Sequence, residues 1–110
     1  MTWNIIDTPN DITLLNERSA EQPVMILKHS TTCPISGMAK RRLERDWDIE
    51  ASELEPYYLD LLRHRDLSNL IAEEYGVRHE SPQVLVIKNG RCTYHTSHLD
   101  ISVAGLKGVA

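Results

Sequence analysis

The sequence contains no phenylalanine, and aromatic residues make up only 5% of its 110 residues. Its core must therefore be built mostly from leucine, isoleucine and valine. No stretch approaches the roughly 20 consecutive apolar residues of a membrane-spanning helix, so we expect no membrane partner. Residues 1–7 also lack the basic start and the long apolar segment of a secretory signal. These absences together predict a cytoplasmic protein.

A net positive charge is also missing, because 12 lysines and arginines stand against 16 acidic residues, a formal charge of −4. This balance argues against nucleic acid as a partner, which would require a basic surface. The basic run at residues 40–42 is short and is expected to form a solvated helix face, which can also attract an anionic thiol. The length is that of one compact domain, residues 1–110.

Cysteine is scarce as well, with only Cys33 and Cys92. Two thiols are too few for a cysteine-rich zinc site, and a structural disulfide is uncommon in the cytoplasm. His95 and His98 are too poorly placed to add a metal site, because a spacing of three residues puts them on opposite faces of a strand. We therefore expect no metal, and each thiol is either a buried structural side chain or a reactive one.

Apolar runs of strand length alternate with helical patterns along the chain. Strands are predicted at residues 3–6, 24–29, 56–61, 83–88 and 91–96, and Asn89-Gly90 predicts a tight hairpin between the last two. Helices are predicted after the capping residues 8–11, from Pro34 to about residue 49, from residue 65 to a stop at Gly76, and after Asp100 as cap. The apolar stripe of the second of these helices is predicted to consist of Ile35, Met38, Ala39, Leu43 and Trp47. This order indicates the α/β class, a thioredoxin-like sandwich with a mixed central sheet flanked by helices and a C-terminal β-hairpin and helix.

Cys33 lies between a predicted buried strand and a predicted helix that begins at Pro34. The free N–H groups and the dipole at a helix N-terminus favour an anion, so this position favours the nucleophilic thiolate. Ser36 stands where a dithiol enzyme would carry its second cysteine. A mixed disulfide on Cys33 must then wait for a thiol from outside, and Ser36 can donate a hydrogen bond to the thiolate. A purely structural Cys-Pro helix cap remains the alternative.

Ser81-Pro82 directly precedes the strand of the predicted hairpin, the place of a cis proline in a thioredoxin-like sandwich. A cis bond there exposes backbone groups that can pair with an extended substrate. Cys92 lies at the turn end of the same hairpin, after a strand that leads away for roughly 20 Å. Because a disulfide requires Cα atoms within about 7 Å, we expect Cys92 to be a structural or incidental thiol.

Three segments carry a family resemblance: residues 28–36 (Lys-His-Ser-Thr-Thr-Cys-Pro-Ile-Ser), residues 76–83 (Gly-Val-Arg-His-Glu-Ser-Pro-Gln) and residues 97–101 (Ser-His-Leu-Asp-Ile). With this order and spacing the chain resembles the YtxJ family, the thioredoxin-like monothiol bacilliredoxins of the bacillithiol system. The resemblance implies that Cys33 is the attacking thiol, that Pro82 is the cis proline, and that the protein removes bacillithiol from S-bacillithiolated proteins. It also implies that no cofactor is bound and that bacillithiol acts as co-substrate. Thr32 departs from variants that carry a basic residue before the cysteine.

Substrate binding is expected at Thr32 and at the Ser81-Pro82 loop. Bacillithiol carries carboxylates, so cationic side chains would help to bind it, and Lys28, Arg78 and His79 are the candidates by position. His29 and His98 are also expected near this end of the fold. Two alternatives stay open: a reductase for another small thiol or an oxyanion, and a thioredoxin-fold binding module without turnover.

Overall fold

The protein is built on one five-stranded mixed sheet in a computed structural model, of which residues 1–109 are described. Ala110, the last residue of the predicted domain 1–110, lies outside the described residues. The strands are β1 (Asn4–Ile5), β2 (Val24–His29), β3 (Glu55–Asp60), β4 (Gln83–Lys88) and β5 (Arg91–Ser97), in the order β1-β3-β2-β4-β5. β1, β3 and β2 run parallel, whereas β4 is antiparallel to both β2 and β5.

Helices cover both faces of the sheet: α1 (Pro9–Arg18), α2 (Pro34–Asp46), α3 (Arg65–Tyr75) and α4 (Val103–Lys107), with a 3₁₀ turn at His98–Asp100. Residues of α1 and α3 share one buried apolar cluster, and residues of α2 and α4 share the other. None of the helices within residues 1–109 is long and apolar enough to cross a membrane. The predicted α/β class, with a mixed sheet, flanking helices, and a C-terminal hairpin and helix, is confirmed.

Local sequence signals explain where most elements begin and end. Thr8 caps α1 in a capping box, because its hydroxyl accepts from the N–H of Asp11 while the Asp11 carboxylate accepts from the N–H of Thr8. Gly76 ends α3 in the left-handed conformation, at φ 65°, which glycine adopts without a steric cost. Asn89 and Gly90 form the hairpin turn with φ values of 51° and 74°.

Two sequence expectations about the helices are wrong in detail. The cap of the last helix is Ser102 rather than Asp100, because Ser102 is extended and its hydroxyl accepts from the N–H of Gly105, while Asp100 belongs to the preceding 3₁₀ turn. α2 ends at Asp46, a turn before residue 49, because Trp47 adopts an extended conformation.

The apolar stripe predicted for α2 is right for Ala39 and Leu43, which face the sheet, but wrong for Ile35 and Met38, which are 44% and 50% exposed. At the start of the helix the buried face is shifted by one residue, from Ile35 to Ser36, because a search for apolar periodicity passes over a polar residue. The shift matters because it buries the Ser36 side chain and exposes two apolar side chains just after Cys33.

The Thr8 cap can be tested by substitution. We expect Thr8→Ala to lower the free energy of unfolding by about 1 kcal/mol, because the N–H of Asp11 loses its partner. Thr13→Ala, at an exposed position within the same helix, should change it by less than about 0.5 kcal/mol. Urea unfolding of the two variants measures both values, and equal losses would contradict the assignment.

Candidate functional site

Cys33 is the N-cap residue of α2, four residues beyond the end of β2. Its backbone is extended (φ −96°, ψ 117°), its thiol is half-buried, and its side chain makes no capping hydrogen bond. The carbonyl of Cys33 accepts from the N–H of Gly37 at 3.0 Å, and Pro34 occupies the first helical position, where no N–H is needed. The helix start is thus formed by the backbone, which leaves the sulfur available for chemistry.

Ser36 is completely buried one turn after Cys33. Its Oγ accepts a hydrogen bond from the backbone N–H of Ser30 at 3.0 Å and lies 2.6 Å from Nδ1 of His29. The hydrogen bond to Cys33 that the sequence predicts is not formed in the described structure, because the hydroxyl is directed to these two groups. Ser36 instead connects the start of α2 to the end of β2.

His29, expected only to lie near the site, is the side chain that holds Ser36. Its ring packs on Tyr58 of β3, with ring centroids 5.7 Å apart, and 7% of the residue is exposed. Burial lowers the pKa of His29, and Lys40 lowers it further, whereas Asp60, the contact with Ser36 and Glu44 act in the opposite direction. His29 is therefore mainly neutral near pH 7. Its place at the end of a fully buried strand was the only signal in the sequence.

The Ser81–Pro82 peptide bond is cis, and Pro82 is buried at the start of β4. Gln83 pairs with Lys28 across the sheet, so Pro82 lies beside the end of β2, the end from which Cys33 follows. The carbonyl of Pro82 accepts from the backbone N–H of His98 at 3.0 Å, which attaches the 3₁₀ turn to this loop. The hydroxyl of Ser81 is buried and has no hydrogen-bond partner within residues 1–109.

Lys28 does not belong to a surface groove, which corrects the predicted cationic site of Lys28, Arg78 and His79. It is fully buried on the α3 side of the sheet, where its Nζ donates to the carbonyl of Ser68 at 3.1 Å and faces Nδ1 of His79 at 3.4 Å. Burial lowers the pKa of Lys28 to about 8. Side chains alternate between the two faces of a strand, so Lys28 and His29 point to opposite faces of the sheet. Lys28 therefore cannot lie on the same side of the sheet as His29.

Arg78 and His79, the other two residues of the predicted cationic site, are accessible. His79 is exposed in part, and its Nδ1 also lies 3.1 Å from the Ser68 hydroxyl. Burial lowers the pKa of His79, as do Lys28 and Arg65, so Nδ1 remains an acceptor for the two groups that point at it. The side chain of Arg78 is exposed, and its carbonyl accepts from Gln83 Nε2.

Thr32 is exposed directly before the cysteine, with its Oγ1 3.4 Å from the hydroxyl of Ser30.

Arg41 and Arg42 follow Cys33 on α2, and neither forms an ion pair with another of the described residues. The guanidinium of Arg41 lies over Gly37, where a β-carbon would be only 3.2 Å from its Nη1. Gly37 itself donates its backbone N–H to the carbonyl of Cys33. Lys40, in contrast, is paired with Glu44 at 2.9 Å.

Cys92 lies at the other end of the sheet. It pairs with Ile87 near the hairpin turn, and its Sγ donates to the carbonyl of Tyr94 at 3.3 Å. It is half-buried against the α1–α3 cluster, and burial raises the pKa of its thiol. Both cysteines are free, and the site at Cys33 has one thiol.

Solved structures with the same fold contain redox proteins. One described as a candidate oxidoreductase with a thioredoxin fold is 34% identical, with a TM-score of 0.78 over 94% of this chain and 89% of that chain. A thioredoxin from Malassezia sympodialis is 20% identical, with a TM-score of 0.73 over 97% and 86% of the two chains. Trxlp from Edwardsiella tarda is 12% identical, with a TM-score of 0.71 over 94% of each chain. The fold and the free thiol at a helix start define a thiol oxidoreductase of the thioredoxin fold.

A family model narrows this class. The model described as monothiol bacilliredoxin BrxC matches residues 4–106. The chain belongs to this family, and the resemblance to monothiol bacilliredoxins is confirmed.

The burial of the Lys28 ammonium can be tested by substitution. We expect Lys28→Met to raise the free energy of unfolding at pH 7 by about 1–2 kcal/mol, because methionine fills similar space without burying a charge. The destabilising effect of Lys28 is complete below its folded pKa of about 8 and disappears as the pH rises to the ordinary value of lysine, about 10.4.

The difference between wild type and variant should therefore shrink from about pH 8 to about pH 10 in urea unfolding curves. A difference that stays constant over this range would show that Lys28 is not held at a lowered pKa.

Proposed function

We propose that the protein removes bacillithiol from S-bacillithiolated proteins by exchange at Cys33. The observation that supports this most strongly is the arrangement of the site: one free thiol at the N-terminus of α2, a serine three residues later, and a cis proline beside it. Together with family membership, this favours a reaction that passes through one mixed disulfide at a time.

The exchange has two balanced steps. The Cys33 thiolate attacks the bacillithiol sulfur of the client's mixed disulfide, which forms a Cys33–bacillithiol disulfide and releases the client cysteine as a thiolate. A second bacillithiol thiolate then attacks that disulfide, which restores the Cys33 thiolate and forms bacillithiol disulfide. The client cysteine is reduced and the second bacillithiol is oxidised, while the first stays at the disulfide level, so the protein itself needs no bound cofactor.

The residues around Cys33 stabilise the thiolate and bind the client. The free N–H groups at the start of α2 favour the thiolate, both in the attack and as the leaving group. The backbone of Ser81, next to the cis proline, can pair with an extended client segment. Thr32 lies on the exposed approach to the sulfur. The reducing small thiols and clients of such an enzyme are cytoplasmic.

The carboxylates of bacillithiol are expected at Arg41. Its guanidinium is held over Gly37 and has no acidic partner within the described residues, so a carboxylate can accept hydrogen bonds from it without breaking an existing pair. Arg78 and His79 remain accessible on the loop that leads to Ser81 and can serve a second carboxylate.

Adduct formation tests the nucleophile. After incubation with bacillithiol disulfide, intact mass spectrometry should show one bacillithiol on the wild type and on Cys92→Ser, but none on Cys33→Ser. The half-buried Cys92, with its raised pKa, should not compete. Equal labelling of both thiols, or no adduct, would refute the proposal, and a faster reaction with glutathione disulfide would indicate another small thiol.

Arg41 can be tested by charge removal. We expect Arg41→Gln to slow adduct formation with bacillithiol disulfide about threefold, the scale of one exposed ion pair. The rate with the uncharged disulfide 2,2′-dithiodipyridine should not change. Arg45→Gln is the matched control, because Arg45 lies one turn further along α2 and already pairs with Asp46. An equal effect of both variants, or slowing with the uncharged disulfide, would exclude a carboxylate site at Arg41.

A further inference from the structure

The chain between α3 and β4, residues 77–82, forms neither a helix nor a strand, and we call it the proline loop. It carries Ser81, whose backbone is proposed above to pair with the client, so the placement of the loop affects how a client lies at the site. The sheet holds the loop at one point, because the buried Gln83 donates from Nε2 to the carbonyl of Arg78 at 2.9 Å. A side chain of the loop itself provides a second attachment.

The second attachment joins His79 to two buried residues, Lys28 on β2 and Ser68 on α3. Nζ of Lys28 lies 3.4 Å from Nδ1 of His79 and donates to the carbonyl of Ser68 at 3.1 Å. The hydroxyl of Ser68 lies 3.1 Å from the same Nδ1. Lys28 and Ser68 are 0% and 1% exposed, so the loop is attached to groups that are themselves fixed in the interior.

The ammonium of Lys28 determines which nitrogen of neutral His79 carries the hydrogen. An ammonium group has three donors and no acceptor, so Nδ1 contacts it favourably only through a lone pair. A hydrogen on Nδ1 would instead face the positive charge. The pKa of Lys28, about 8, leaves most of this side chain charged at pH 7. The hydrogen of neutral His79 is therefore on Nε2, and the Ser68 hydroxyl donates to Nδ1.

We propose that His79 is a positioning residue: its neutral ring holds the proline loop to Lys28 in the conformation that receives the client, and protonation of the ring releases the loop. A protonated ring places an N–H group and a positive charge against the ammonium, and the Ser68 hydroxyl loses its acceptor. The chemistry at Cys33 is the same in both states, and only the binding of the client segment changes. The inference rests on the proposed function, in which a client lies along Ser81.

The charged groups near His79 define the pH range of this release. Burial lowers the pKa of the ring, Lys28 on β2 and Arg65 on α3 lower it further, and Glu80 of the loop acts in the opposite direction. The loop is therefore fully held above the ordinary histidine pKa of about 6.5 and is released progressively as the pH falls below it. A hydrogen bond from Ser97 lowers the pKa of Glu80, so Glu80 stays ionised in this range.

Two uncharged disulfides separate client binding from the reactivity of Cys33, in a Cys92→Ser background. One is a short uncharged peptide whose single cysteine is joined to 2-thiopyridine, and the other is 2,2′-dithiodipyridine. With each of them the Cys33 thiolate forms a mixed disulfide and expels 2-thiopyridone, whose absorbance gives the rate. The thiolate fraction of Cys33 is common to both reactions, so the ratio of the two rate constants reports the contribution of the peptide segment.

For the wild type, we expect the ratio of peptide rate to small-disulfide rate to fall about fivefold between about pH 7.5 and about pH 5, the scale of one hydrogen bond. Lys28→Met, which is expected above to fold more stably, should have the low ratio at both pH values. His79→Asn keeps an oxygen acceptor near the position of Nδ1 but cannot be protonated. Its ratio should not depend on pH and should exceed that of His79→Ala, which a merely structural role of His79 would not produce.

His98→Asn is the matched control, because the backbone N–H of His98 donates to the carbonyl of Pro82 and asparagine tolerates its positive φ of 55°. Its ratio should fall with pH as that of the wild type does. A wild-type ratio that does not change with pH, or a Lys28→Met ratio equal to the wild-type value at the higher pH, would overturn the proposal. A Cys33 that reacts with neither disulfide would refute the proposed function and this inference with it, so the two failures are distinguishable.

Hydrogen exchange gives a second readout that needs no reactive thiol. The backbone N–H of His98 donates to the carbonyl of Pro82 at 3.0 Å, so its protection reports how firmly the end of the proline loop is held. We expect lower protection of this amide in Lys28→Met than in the wild type, although the variant as a whole should be more stable. Equal or higher protection in Lys28→Met would contradict the attachment of the loop through His79.

Discussion

The start of α2 beyond the end of β2 is the constraint on which the site depends. All six residues of β2 are buried, so this strand is fixed from both faces, and the short segment that follows it must turn into the helix at Cys33. Ser36 closes this turn by bonding to the Ser30 N–H and the His29 ring. The thiol is thus placed at a helix N-terminus whose position is set by the centre of the sheet, and the free N–H groups there favour a negative sulfur.

The site contains a single thiol, and the structure provides no second cysteine close enough to react with it among the described residues. A serine occupies the position from which a second cysteine would attack, and its hydroxyl is committed to the joint between strand and helix. Cys92 lies near the hairpin turn at the far end of β4, so it cannot replace the missing partner. In the proposed exchange, a mixed disulfide at Cys33 is therefore resolved by a thiol from solution, in agreement with membership of the monothiol bacilliredoxin family.

Most of the fold was predictable from the sequence, because the strands, helices and hairpin are encoded by local periodicity and turn residues. Cys33 and Pro34 were recognised at the helix start for the same reason. Lys28 was misplaced because a charged side chain suggests the surface, whereas its ammonium is buried against the Ser68 carbonyl on α3, a contact 40 residues away in the chain. The bond between Ser36 and His29 was missed because it depends on the phase of α2 against the sheet, and apolar periodicity does not determine that phase when the inward residue is a serine.

The central claim is that Cys33 is the only nucleophile of the site and that its mixed disulfide with bacillithiol is cleaved by an external thiol. Turnover of an S-bacillithiolated protein measures this directly, with and without free bacillithiol. The account predicts that, without free thiol, each enzyme molecule releases one equivalent of client and stops as the Cys33 adduct, and that added bacillithiol restores continuous turnover. Repeated turnover without added thiol, or loss of the adduct by formation of a Cys33–Cys92 disulfide, would contradict it.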